Sequence, residues 1–121
     1  MADQDYIIEY EDFQKGFKLG ETSPDKVGEL IMHMAGYYAR YNIIYAGKLR
    51  AFSAVMQTLI NSTDDQSGKG MTASKAEILG ADTKEAAEYE LAKVHINNIQ
   101  EYINSLKSLQ RSLMIEYGNV Q

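Results

Sequence analysis

The sequence predicts an all-α protein: a long antiparallel αα-hairpin with a short N-terminal arm or helix, assembling into a homo-oligomer. Three observations predict it. Apolar residues recur every seven positions along two long segments, about 24–61 and 82–118. One polar run, Asn61 to Gly70, separates them. The single proline of the 121-residue chain stands at a helix start rather than inside a helix.

Residues 1–21 form an acidic N-terminal arm ahead of a helical hairpin over 22–121. Within it Tyr6-Ile7-Ile8-Glu9-Tyr10 has strand-like composition, whereas Phe13 and Phe17 with Gly16 and Gly20 suit a short helix or an irregular arm. The short helix is the reading adopted. Thr22-Ser23-Pro24-Asp25 then opens the first long helix: a hydroxyl accepts orphan amide protons, proline takes the first helical position, and an acid faces the positive end of the dipole. Ile31, Tyr38, Tyr45, Phe52 and Leu59 form one apolar line, and Val27, Met34, Tyr41 and Val55 a second that only Lys48 interrupts. Two adjacent lines make one buried face on a helix of roughly 55 Å.

After the loop, Ser74-Lys75-Ala76-Glu77 has capping-box spacing and predicts a helical turn over about 74–79 ending at Gly80. Asp82-Thr83-Lys84-Glu85 starts the second long helix. Its lines are Ala92, Ile99, Leu106, Leu113 and Tyr89, Ile96, Ile103, Tyr117, the latter broken at Gln110, and Gly118 is the expected stop. Two such helices bury their stripes against one another only if they run antiparallel.

Both helices carry more apolar surface than one interface covers. Met32, Tyr37, Ile44 and Ile60 flank the first stripe, and Val94, Tyr102, Leu109 and Met114 the second. Gly28, Ala35, Gly36, Ala39, Ala46, Gly47, Ala51 and Ala54 suit close helix approach, and each helical glycine costs about 1 kcal/mol relative to alanine. These residues predict a homo-oligomer, the alternative being a monomeric bundle closed by the arm.

Charge divides along the chain. Of seventeen acids and twelve bases, eight acids and three bases fall in residues 1–29, leaving nine of each in the rest. No acid occurs between Glu29 and Asp64, where Arg40, Lys48 and Arg50 stand. The arm is either an ordinary solvated tail or a mask over this basic surface.

Several chemistries are excluded. With no cysteine there is no disulfide, zinc knuckle or thiol nucleophile. Glu29 and His33 share a helical face, but one pair is no metal site, and His95 has no acid at the three-residue spacing of carboxylate-bridged helices. No serine lies in a nucleophile elbow, and Gly68-Lys69-Gly70-Met71-Thr72 lacks the first glycine and the strand of a phosphate loop. The expectation is a non-enzyme without metal or cofactor. No segment has the length of a membrane span, and the acidic N-terminus lacks the order of a signal peptide, so the cytoplasm is the expected location.

Residues 37–52 interleave aromatics with cations, the composition used to bind single-stranded nucleic acid by base stacking and phosphate contact. Tyr38, Tyr45 and Phe52 belong to the core stripe, which leaves Tyr37 as the stacking candidate and Arg40, Lys48, Arg50, Lys69 and Lys75 as the phosphate contacts. A ring of about six or seven subunits multiplies three cations to about twenty.

The acidic arm, the Tyr-Tyr-x-Arg-Tyr-Asn segment at 37–42, Lys48-Leu49-Arg50, the loop Ser67-Gly68-Lys69-Gly70, and Leu79-Gly80-Ala81-Asp82 before the last helix together resemble the UvsY-type recombination mediators of tailed phages, over residues 30–118. The resemblance implies a ring-forming helical protein in the host cytoplasm that binds single-stranded DNA, helps displace a single-strand-binding protein and loads a recombinase. It implies Lys48, Arg50 and Lys69 as DNA contacts. Such mediators are usually basic, whereas this chain is acidic. The other reading is a phage structural, assembly or partner-binding protein that binds no nucleic acid, whose hairpin serves only to associate.

Overall fold

The computed structural model describes residues 5–20, 22–64 and 67–120, the last four by backbone alone. Four helices follow in order: α1 (Asp5–Lys18), α2 (Pro24–Ile60), α3 (Ala73–Ala81) and α4 (Lys84–Val120). The all-α expectation holds, α2 and α4 being the main packing pair. Asp3, Glu21, Asp65, Gln66 and the Tyr117 side chain, all part of the sequence reading, lie outside the described residues. By contacts the chain divides into two compact units, residues 1–40 with 97–121, and residues 41–96.

In the first unit α1 packs on the beginning of α2 and the end of α4. The segment with strand-like composition is helical, because Tyr6, Tyr10, Phe13 and Phe17 recur at three- and four-residue spacing and so fall on one helical face. Tyr6 is fully buried, with its ring 6.2 Å from Tyr37 and 5.9 Å from Tyr102, and Tyr10 stacks on Tyr102 at 4.0 Å. Val27, Leu30, Met34, Ile99 and Leu106 complete the buried set. The deeper of the two lines on α2 is therefore the one holding Val27 and Met34; Ile31 and Tyr38 of the other are half-buried.

Ser23 caps α2 by accepting from the Lys26 amide at 3.3 Å. At the same end Gln110 Nε2 donates to the Pro24 carbonyl at 3.2 Å, so early α2 lies beside late α4 and the two run antiparallel. A Cβ on Gly28 would meet Gln110 Nε2 at 2.7 Å. The break in the apolar line at Gln110 and the glycine within α2 are thus two halves of one close contact. A Cβ on Gly36 or Gly47 would meet nothing within 4 Å.

In the second unit the buried apolar side chains are one tyrosine and three alanines, Tyr41, Ala76, Ala86 and Ala92. Tyr89 stacks with both Tyr45 and Phe52, at 5.5 and 5.4 Å, and Tyr41 lies 5.3 Å from His95, which sets α2 antiparallel to α4 here too. The described residues of the loop after α2 are held by backbone contacts. Thr63 bridges Gly70, the Asp64 amide donates to the Lys69 carbonyl at 2.7 Å, and Gly68 takes the positive φ of 71° that its turn requires.

Three helix boundaries differ from expectation. Thr72 rather than Ser74 caps α3, accepting from the Lys75 amide at 3.2 Å. Gly80 does not stop α3 by left-handed geometry; it continues into the helix because a Cβ there would collide with Met56 Sδ, so the glycine serves close approach to α2. α4 starts within the expected Asp82–Glu85 word, where Thr83 caps it, accepting from the Ala86 amide at 3.1 Å while donating to the Gly80 carbonyl at 2.6 Å. The expected stop at Gly118 is passed, and α4 continues to Val120. No described helix is long and apolar enough to cross a membrane.

Candidate functional site

The six residues singled out from sequence fall into both units, and the helices dispose them differently. In the first unit the Arg40 guanidinium lies over the Tyr37 ring, 4.9 Å from its centroid. Tyr37 is half-buried and its hydroxyl donates to Glu9 Oε2 at 2.8 Å. The other carboxylate oxygen of Glu9 pairs with His33 Nδ1. One acid of α1 therefore holds two side chains of α2 that stand one turn apart.

This cluster lines a shallow pocket of about 500 Å³ formed by Asp5, Glu9, His33, Gly36, Tyr37 and Arg40. The Glu9 hydrogen bond and its charge raise the His33 imidazole above the ordinary 6.5, against a small opposing effect of burial. Burial first, then Glu9 and Asp5, raise the Tyr37 phenol. The two carboxylates, Asp5 and Glu9, offset the Arg40 guanidinium and the His33 imidazole, so the pocket has no excess of positive charge to hold a phosphate. A base stacking on the face of Tyr37 that Arg40 covers has to displace the guanidinium.

In the second unit Lys48 Nζ donates to Glu88 Oε2 at 3.0 Å, and Lys84 adds a longer contact of 3.6 Å to the same carboxylate. The Lys48 hydrogen bond holds Glu88 below the usual carboxylate range. The interruption of the apolar line is accordingly an ion pair between α2 and α4 at the margin of their interface. Lys75 Nζ donates to Asp64 Oδ1 at 2.8 Å, tying the loop to α3, and Asp64 is buried. Arg50 and Lys69 are exposed. Lys48 and Arg50 project roughly 200° apart around α2, so the Lys-Leu-Arg word spreads its charges over opposite faces.

The structure thus engages Lys48, Lys75 and Tyr37 with carboxylates and leaves Arg40, Arg50 and Lys69 without an ion pair among the described residues. Sequence reasoning missed the three acids concerned. Glu9 had a signal, standing three residues after Tyr6 and four before Phe13 inside the aromatic face. Glu88 and Asp64 had none, because their partners are forty and eleven residues away. His33, considered with Glu29 for a metal, bonds Glu9 instead; among the described residues no group of three metal-ligating side chains comes together.

Large apolar side chains are the other unspent feature. Among the described residues fourteen are exposed, whereas the ten buried apolar residues include three alanines. Met32, Ile44, Ile60, Val94 and Met114, which the sequence reading marked as needing cover, are all exposed, while Tyr37, Tyr102 and Leu109 are half-buried. Comparison of the chain with protein-family models, curated proteins and solved structures finds no match.

Proposed function

We propose that this chain is a self-associating helical protein that works by protein–protein contact and not by catalysis. The observation that carries the reading is the apolar imbalance: fourteen large apolar side chains face solvent among the described residues, twice the seven that are buried when alanines are set aside. Scattered exposed apolar residues are ordinary on a monomer. Here they recur on every helix, and the second unit buries mainly alanine while exposing Ile43, Ile44, Leu49, Ile60, Ile78, Leu79, Leu91 and Val94. The open space at Gly36 and Gly47 supports the same reading, because each glycine lowers helix propensity without an intrachain packing contact to explain it.

Sedimentation velocity over a hundredfold range of protein concentration, with the range taken as roughly micromolar to 0.1 mM, tests this directly. Concentration-dependent association is expected. A single species of monomer mass throughout overturns it.

Single-strand binding of the mediator type is the second reading, favoured by one observation: Arg40, Arg50 and Lys69 are exposed and unpaired by any carboxylate among the described residues. Anisotropy of a labelled single-stranded oligonucleotide decides it. Binding that weakens steeply with salt supports it, since phosphate contacts release counterions, and loss of that binding in Arg40→Ala/Arg50→Ala/Lys69→Ala maps the contacts. No binding at low salt removes it.

A further inference from the structure

The first unit carries two apolar tips with opposite electrostatic settings. On α1, Ile8 is 54% exposed, and Asp5, Glu11 and Asp12 stand three before, three after and four after it, the spacings of neighbours on a helix surface. On α4, Met114 and Ile115 are 59% and 61% exposed, and Arg111 stands three and four residues before them with Lys107 a turn further back. Glu11, Asp12, Lys107 and Arg111 are all exposed, and none of their side chains has an ion pair or hydrogen bond among the described residues. Between Glu101 and Glu116 α4 carries no acid, and Glu116, next after Ile115, stands about 100° round the helix from it.

We propose that these two faces meet between copies: the acid-rimmed Ile8 face of α1 in one copy packs on the base-rimmed Met114–Ile115 face of α4 in a second copy. This rests on the self-association reading above and names its interface. The occupant is a second copy because each chain carries both halves of the complement, so a two-fold pair makes the contact twice from one pair of surfaces. At a net charge of −5 two copies repel at long range. Placing the cations of one against the acids of the other is what makes one orientation favourable, and apolar tips inside a charged rim are the usual anatomy of a contact surface.

The test is a charge swap read by sedimentation velocity on the full chain, with circular dichroism to check each fold. Lys107→Glu/Arg111→Glu and Glu11→Lys/Asp12→Lys each place like charges across the contact, and each alone is expected to weaken association roughly tenfold or more. In an equimolar mixture of the two variants the mixed pair sets opposite charges at both contacts, one in the wild-type sense and one reversed, and regains association. Wild-type association weakens as salt rises from about 0.05 M to about 0.5 M, where screening shortens the range of the rim charges. If the wild type associates but both variants match it, or the mixture fails to recover, the interface is wrong and self-association stands on other surfaces. If the wild type stays monomeric, the self-association reading fails and takes this interface with it.

Discussion

Replacing Glu9 with alanine removes the acceptor that joins α1 to α2 at two points, and its effect can be worked from the structure. The Tyr37 hydroxyl bond, 2.8 Å and part-buried, is worth about 1 kcal/mol net. The His33 pair has side chains 54% and 31% exposed, so solvent screening holds it to about 0.2–1 kcal/mol. Together the loss is about 1–2 kcal/mol, or roughly a 5- to 30-fold fall in the protection of α1 amides against hydrogen exchange.

The two parts separate by pH. Docking raises the His33 pKa above 6.5, so its share of the stabilisation is fully present below that value and is lost as pH rises through the raised one. The charges facing the ring are Glu9 from α1 and Glu29 from its own helix, with Lys26 beside them in the neighbouring cleft. The difference in α1 protection between wild type and Glu9→Ala, corrected for intrinsic exchange, is therefore larger at about pH 6 than at about pH 8.5. Glu9→Gln keeps the shape and loses the ionic share. Equal protection of α1 in wild type and Glu9→Ala at both pH values refutes the reasoning.

Three further outcomes follow from packing and charge. Ile99→Ala empties a fully buried site between the helices of the first unit and costs about 2–5 kcal/mol in urea unfolding. Gly36→Ala and Gly80→Ala have opposite signs in the same assay: the first enters open space and gains about 0.5–1 kcal/mol of helix propensity, whereas the second drives a methyl into Met56 and Leu59 and costs about 1–3 kcal/mol. Lys48→Met fills the apolar line and removes the main group that lowers the Glu88 pKa, leaving Lys84; that stabilisation is present above the ordinary carboxylate value of 4.5 and lost as pH falls through the lowered one, so acid titration of stability flattens in part on this limb in the variant.

The two long helices were legible because burial along a helix is a local pattern: Val27, Met34 and Tyr41 announce their face by spacing alone, and so do Ala92, Ile99 and Leu106. Helix caps were half legible. A hydroxyl near the starts of α2, α3 and α4 was expected and found, but Thr72 and Ser74 offer the same chemistry two residues apart, and it is Thr72 that caps α3. The candidate site was less legible still. Composition named Tyr37 as a ring open to a base and Lys48 and Lys75 as cations open to a phosphate, yet each has a carboxylate partner eleven to forty residues away, which no local pattern records.

What the sequence determined by itself is the helical hairpin and its surplus of apolar surface, since periodicity and composition are properties of neighbouring residues. What the tertiary structure alone decided is which charges pair inside the chain and which stay exposed. Glu9 meets His33 and Tyr37, and Lys48 meets Glu88, because the rotation and register of packed helices bring distant groups within hydrogen-bonding range. Those same rotations turn Glu11, Asp12, Lys107 and Arg111 outward. Electrostatic pairing depends on distances of a few ångströms, and only packing sets distances that small between residues far apart in the chain.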